Sequence, residues 1–301
     1  MINMLIGNNE EQVETLENAA RRHTQAGDVL RRLVANKLGL VGIAIVAVLL
    51  FLTIFAPLLS KYDYSVQDFG SRFAPVDNNH IMGTDQFGRD MWTRLLYGGR
   101  ISLLVALCAT AISLTGGVIL GSIAAYFGGR VDLIIMRILD IWMSIPGLLL
   151  AIAISAALGS GPFKTAIAIS IGGIAGSSRL IRSTILAIKS NEYVEAAIAT
   201  GSTNARVIFR HILPNVIAPI IVNATMGIGG NIMAISGLSF IGLGVQPPVP
   251  EWGSILADGR TYLLTYWPMT VFPAIFIMLT LFGFNVLGDA LRDALDPKLK
   301  R

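Results

Sequence analysis

Residues 191–215 read NEYVEAAIATGSTNARVIFRHILPN, a polar, helix-prone stretch set between two long apolar runs. Ser190 or Asn191 can cap a short helix over Glu192–Ala199, and Glu192 complements the positive end of its dipole. Gly201 falls where a helix commonly ends in a left-handed residue, a conformation that glycine adopts without steric cost. A second helix can start from Ser202 or Thr203 and run through Ile212, stopping before Pro214. Its Val207, Ile208, Phe209 and Ile212 contrast with Arg206, Arg210 and His211. Two short helices at an angle make a compact knob suited to a groove on a partner. The plainer alternative is an amphipathic hairpin lying at a membrane interface.

The flanking runs decide the fold class. Of 301 residues, 53% are hydrophobic and only 14% charged, whereas a soluble domain carries about 25% charged residues. Six apolar stretches can be drawn: Leu38–Leu59, Ile101–Phe127, Leu133–Leu158, Phe163–Ser178, Val216–Val245 and Trp267–Leu287. About 20 apolar residues cross a 30 Å hydrocarbon core as a helix. The expected fold is an all-α membrane protein with six transmembrane helices. The fourth stretch is short and is expected to continue through Arg179 and Arg182, with those side chains snorkelling to the interface. The fifth is long and expected to tilt or kink, with Pro219 near its start. The first begins only at residue 38 and no small-residue cleavage site follows it, so none reads as a signal peptide.

Lysine and arginine set the orientation. With the N-terminus inside, 16 of the 23 fall on cytoplasmic segments, among them Arg130, Arg137, Arg179, Arg182, Lys189, Arg206 and Arg210. The insert at 191–215 and both termini are then cytoplasmic. The net charge of +4 therefore points to the inner face of a bilayer and not to nucleic acid. One basic stretch, Arg89–Arg100, lies outside and runs against the majority.

The chain divides accordingly. Residues 1–37 form a cytoplasmic amphipathic segment in which Glu17–Arg21 and Asp28–Arg32 have the favourable i,i+4 order. It reads either as a helix along the membrane or as a tail bearing a topogenic charge cluster. Residues 38–59 are the first crossing, 60–99 an extracytoplasmic segment, 100–290 a five-helix core carrying the insert, and 291–301 a cytoplasmic tail. In the extracytoplasmic segment Asp90 can cap one or two helical turns over Met91–Leu96, with Trp92 and Tyr97 at headgroup level. Gly117–Gly121 and Gly172–Gly176 are GxxxG pairs, which let helices approach closely.

Several chemistries are excluded. No Asp, Glu, Lys, Arg or His falls near the middle of any span, so no ion relay is visible and an ion-coupled transporter is disfavoured. There is no Gly-x4-Gly-Lys-Ser/Thr phosphate loop and no His-Glu-x-x-His. His23, His80 and His211 are scattered, and the single Cys108 permits no internal disulfide. The chain reads as non-catalytic, holding no metal and no cofactor, and its energy must enter from elsewhere.

Four motifs in order resemble one family. Glu195-Ala196-Ala197, Gly201 and Leu213-Pro214 resemble the EAA signature of ATP-binding-cassette importer permeases. Gly83-Thr84-Asp85, Gly88-Arg89-Asp90 and Arg100-Ile101-Ser102-Leu103 are similar to the GTD…GRD…R-S-L signature of peptide and nickel permeases. GLSFIGLGVQPPVPEWGSIL and the ending NVLGDALRDALDPKLK are similar to the same proteins. Over residues 30 to 301 the chain resembles the C-type subunit of dipeptide and oligopeptide importers, relatives of which move nickel chelates or glutathione.

The resemblance implies a type I importer permease fold with cytoplasmic coupling helices, in a bacterial or archaeal cell membrane. It implies a second homologous permease, two cytoplasmic ATPase subunits holding ATP-Mg, and an extracytoplasmic substrate-binding protein. Within the insert, with Tyr193, Leu213 and Pro214, Glu195 would make a polar contact with the ATPase. Ala196 and Ala197 would keep the docking surface low and Gly201 would set the bend. Trp252, in the last extracytoplasmic loop, is expected to anchor at the interface, a partner contact being the alternative.

Overall fold

The computed structural model describes residues 25–295. The charges before Gln25, the tail after Leu295 and the side chain of Asp28 lie outside the described residues, so the acid–base pairings expected near the N-terminus do too. Among the described residues the chain is helical, without strands. Helix α1, Gln25–Ala35, packs Leu33 against Ala290 and Ala294 of the last helix. The Asn36 side chain then accepts the N–H groups of Leu38 and Gly39, starting α2, Lys37–Ile54. A helical turn, Ala56–Leu59, leads into an irregular segment with a 3-10 turn at Phe69–Ser71.

The next helix is longer than its hydropathy implies. α3 runs unbroken from Met91 to Phe127, 37 residues or about 55 Å. The turns expected ahead of a separate crossing are its first turns. Met91, Leu95 and Leu96 are fully buried there, so tertiary packing holds a polar stretch in helix.

The stretch expected as one crossing at 133–158 is broken. α4, Gly129–Met143, and α5, Gly147–Leu158, meet at 84°. Pro146 lacks the N–H that would continue the helix, and its ring disfavours the α region at Ile145. α6, Pro162–Leu186, continues through Arg179 and Arg182 as expected, but both side chains pair with carboxylates of α4. α3 and α6 run parallel in close contact. A β-carbon on Gly117 would stand 2.4 Å from Cβ of Ser177, and one on Gly121 would stand 2.6 Å from the Ser178 carbonyl oxygen. The second GxxxG pair differs: a β-carbon on Gly176 meets nothing within 4 Å.

α7, Glu192–Ala199, leads into α8, a continuous helix from Asn204 to Phe240. The expected stop before Pro214 does not occur. The helix widens to a π turn over Val207–Ile212 and tightens to 3-10 over Leu213–Val216 before regular helix resumes. Widening moves the carbonyl of residue 210 away from the proline ring, relieving the clash that would break an α-helix. The irregularity sits at Pro214, upstream of the expected kink at Pro219. α9, Trp252–Gly259, is short, and α10, Pro268–Leu295, closes the bundle against α2.

Among the described residues four helices, α2, α3, α8 and α10, are long and apolar enough to cross a membrane, and the bent pair α4–α5 would be a fifth if it forms one span. α6 has 25 residues but includes Lys164, Arg179 and Arg182. The insert, α1 and the end of α10 lie at one end of the bundle. The segment before Met91 and α9 lie at the other.

Candidate functional site

At the first end, α7 is clamped to the bundle by its inner face. Val194 is fully buried and Ala197 nearly so, in a cluster with Ala125, Ile181, Ile185, Val207 and Ile212. Lys189 donates to the carbonyls of Ala125 (3.0 Å) and Tyr126 (2.7 Å). Those oxygens belong to the last turn of α3, where a cation also meets the negative end of the helix dipole. The Tyr126 hydroxyl donates to Oδ1 of Asn204, 2.9 Å away, at the start of α8. The insert is thus fixed to the ends of α3 and α6.

Its termini follow the sequence with one exception. Asn191 has the extended conformation of a cap, but neither it nor Ser190 supplies a side-chain cap; the N–H groups of Val194 and Glu195 go to the Asn191 carbonyl. At the other end Gly201 has φ +78°. Its N–H donates to the carbonyl of Ile198, and that of Ser202 to the carbonyl of Ala197. This pair of bonds is a Schellman stop, which requires a left-handed residue. Thr203 then caps α8 by accepting the N–H of Arg206.

The outer face carries Glu192, Tyr193, Glu195, Ala196 and Ile198, all exposed, with Arg206, Phe209 and Arg210 beside them. Phe209 is 67% exposed, an apolar group that packing does not explain. Of the expected contact residues, Tyr193, Glu195 and Ala196 share this face, and Gly201 and Pro214 are exposed as well. Ala197 does not: it points into the bundle, where a larger residue would separate α7 from Ile181. Leu213 is half-buried.

The opposite end is organised around one carboxylate. Asp85 is fully buried. Its Oδ1 accepts the N–H groups of Phe87 (2.8 Å) and Arg89 (2.9 Å), and its Oδ2 accepts Nε of Arg89 (2.6 Å) and Nη1 of Arg94. Asp258 of α9 lies 3.6 Å from Arg94 and 3.8 Å from Arg89, and burial pushes its carboxyl up despite them. Gly83 and Gly88, both at φ +74°, turn the chain on either side of Asp85. Thr84 accepts the N–H of Ala74 and donates to the carbonyl of Ser71. Asp90 caps α3 through the N–H of Thr93 (2.8 Å), as expected, and approaches His80 with its other oxygen. The basic stretch that ran against the orientation majority therefore contains two arginines neutralised in a buried network.

Several residues here escaped the sequence. Glu251, fully buried, caps α9 through the N–H of Ser254 and accepts the Ser102 hydroxyl at 2.9 Å. Its position three residues before Ser254 was the available signal. Trp252 is neither an interfacial anchor nor a partner contact: it is fully buried and donates to the Leu95 carbonyl at 2.9 Å. Asp140 was readable as a partner of Arg137, three residues before it, and the two stand 3.9 Å apart. Its pairing with Arg179, and those of Lys189, Asp132 and Asp258, gave no signal because the partners lie far along the chain.

A multi-pass helical bundle with an anchored polar projection at one end is the architecture of a membrane transport permease. The fold matches a chain of the MetNI methionine ABC transporter in an inward-facing conformation, with a TM-score of 0.56, 16% identity, and coverage of 68% of this chain and 98% of that one. The chain belongs to the binding-protein-dependent transport system inner membrane component family, whose profile matches residues 117–301. Residues 24–75 match the N-terminal TM domain of oligopeptide transport permease C. The dipeptide transport system permease protein DppC of Alkalihalophilus pseudofirmus is 44% identical over 273 residues, 91% of this chain and 90% of that protein. The oligopeptide transport system permease protein OppC of Bacillus subtilis is 42% identical over 275 residues, with the same two shares.

Proposed function

We propose that this chain is one of two homologous permease subunits of an ATP-driven importer of dipeptides or oligopeptides in a bacterial or archaeal cell membrane. The observation that carries the reading is the two-faced α7. Its inner face is locked to α3 and α6, while Tyr193, Glu195, Ala196 and Ile198 are presented outward on a helix too short to be stable alone. Such a projection transmits force from whatever binds it. Two cytoplasmic ATPases holding ATP-Mg are the proposed drivers, and an extracytoplasmic binding protein delivers the cargo. The relatives' dipeptide and oligopeptide names favour peptide over nickel chelates or glutathione.

The proposed topology has six crossings: α2, α3, the bent pair α4–α5, α6, α8 and α10. Their directions alternate, which leaves both termini and the insert on one side. The cytoplasm is assigned to that side because it collects the majority of the basic residues, among them Arg130, Arg137, Arg179, Arg182, Lys189, Arg206 and Arg210. Uptake of a radiolabelled dipeptide into proteoliposomes containing the whole complex tests the function. ATP inside and binding protein outside should both be required. Uptake that follows a proton or sodium gradient without ATP would refute it.

A further inference from the structure

Two ion pairs join α4 to α6, with little apolar burial beside them. Of its 15 residues only Leu139 is buried, while Leu133, Ile134, Ile138 and Ile141 are each more than half exposed. Apolar packing therefore does little to fix α4 on α6. Arg182 grips Asp132 with two parallel donors, Nε to Oδ1 and Nη2 to Oδ2, both 2.5 Å. The two side chains are 31% and 20% exposed. One pairing further along, Arg179 donates through Nη2 to Asp140, and Arg137 stands 3.9 Å from the same carboxylate. Residue order reverses across the contact, Asp132 with Arg182 and Asp140 with Arg179, so the two helices run in opposite senses. The same turns of α6 carry the insert, because Ile181 and Ile185 pack against Val194 and Ala197. α6 therefore presents an apolar face to the insert and a charged one to α4.

We infer that Arg182 and Arg179 are positioning residues for transport. They join α7, α6 and α4 into one lever that delivers displacement of the insert to the bend between α4 and α5. The inference rests on the proposed ATP-driven reading and adds to it the route the force takes. Asp132–Arg182 carries the larger share, since a bidentate and partly buried pair is more directional than an exposed one. Severing it leaves α7 docked on α3 and α6 by its apolar face but frees α4 from their movement.

The test uses the complete complex in proteoliposomes and reads peptide uptake per ATP hydrolysed. Arg182→Asp and Asp132→Arg should each keep the ATPases bound and hydrolysing, while uptake per ATP falls about tenfold, within the usual range of coupling free energies. The exchange Asp132→Arg/Arg182→Asp should recover most of the loss. The uncharged Asp132→Asn/Arg182→Gln serves where a reversal does not accumulate, and its uptake per ATP should fall less. A merely structural pair would lower yield and leave uptake per ATP unchanged; that result, in a reversal or in the neutral double variant, overturns the lever. So does an exchange variant that accumulates yet transports no better than the single reversals. Wild-type complex without an ATPase would instead refute the underlying function.

Discussion

The ammonium of Lys189 lies 2.7 Å from the carbonyl oxygen of Tyr126, tying the link between α6 and α7 to the last turn of α3. A lysine at a helix C-terminus contributes through both the dipole and the charged hydrogen bond, together about 2–4 kcal/mol. Lys189→Met keeps the aliphatic stem and removes the donor. A lower melting temperature of the purified complex is expected, with earlier proteolytic cleavage within 191–215. An unchanged cleavage pattern would show that the apolar cluster alone holds the insert.

At Gly201 the constraint is the backbone alone, since a β-carbon there meets nothing within 4 Å. Gly201→Ala should therefore cost about 1–2 kcal/mol, the ordinary penalty for a left-handed residue. Gly201→Val should cost more, because branching at Cβ resists that region further. Peptide uptake should rank glycine, alanine, valine. Equal uptake by the two variants would remove the argument that the Schellman stop sets the angle between α7 and α8.

The bounds of α7 were readable because its stops are local: an extended Asn191, then a glycine two residues past the last helical one. The cap at Asp90 was readable for the same reason. What hydropathy could not reveal was non-local. Met91–Arg100 reads as interfacial because its polar residues are counted as free, yet Arg94 is spent on Asp85 and Asp258, and Ser102 just beyond it on Glu251. The bend at Ser144–Pro146 is invisible to an apolar average, since the apolar residues at the end of α4 run on into the wholly uncharged α5. An eight-residue helix offers two faces with few residues on each, so the sequence could not tell that Ala197 turns inward while Ala196 turns out.

Asp85 is the acceptor for two buried guanidinium groups, so its charge matters more than its shape. Asp85→Asn keeps the volume but leaves Arg89 and Arg94 with only the distant Asp258, a loss of about 3–5 kcal/mol for a broken buried pair. The variant should accumulate poorly in membranes. Adding Arg94→Met should restore part of the level, because it removes one of the stranded charges. Failure of that second change to help would mean Asp85 acts mainly through the Phe87 and Arg89 amides.

Gly88 separates backbone strain from steric exclusion. It shares φ +74° with Gly83, but its β-carbon would stand 1.7 Å from the main-chain oxygen of Asp68, a group that cannot swing aside. Gly88→Ala should therefore abolish accumulation, although alanine elsewhere in a left-handed turn costs only about 1–2 kcal/mol. Near-normal amounts of protein in the membrane would mean that the 60–90 segment can lift away from α3.

Glu195 tests the outer face of α7 independently of its folding. The side chain is exposed and makes no contact that the bundle needs, so Glu195→Lys should leave membrane insertion and melting temperature unchanged. If the face docks on an ATPase whose complementary surface is basic, reversal places like charges together, and such juxtaposition costs several kcal/mol at an interface. ATPase co-purification should then weaken and uptake should fall, while Glu192→Lys, at the start of the same helix, should have the smaller effect. Full uptake by the Glu195 variant, with the ATPases still bound, would count against the outward face of α7 as the place where force enters.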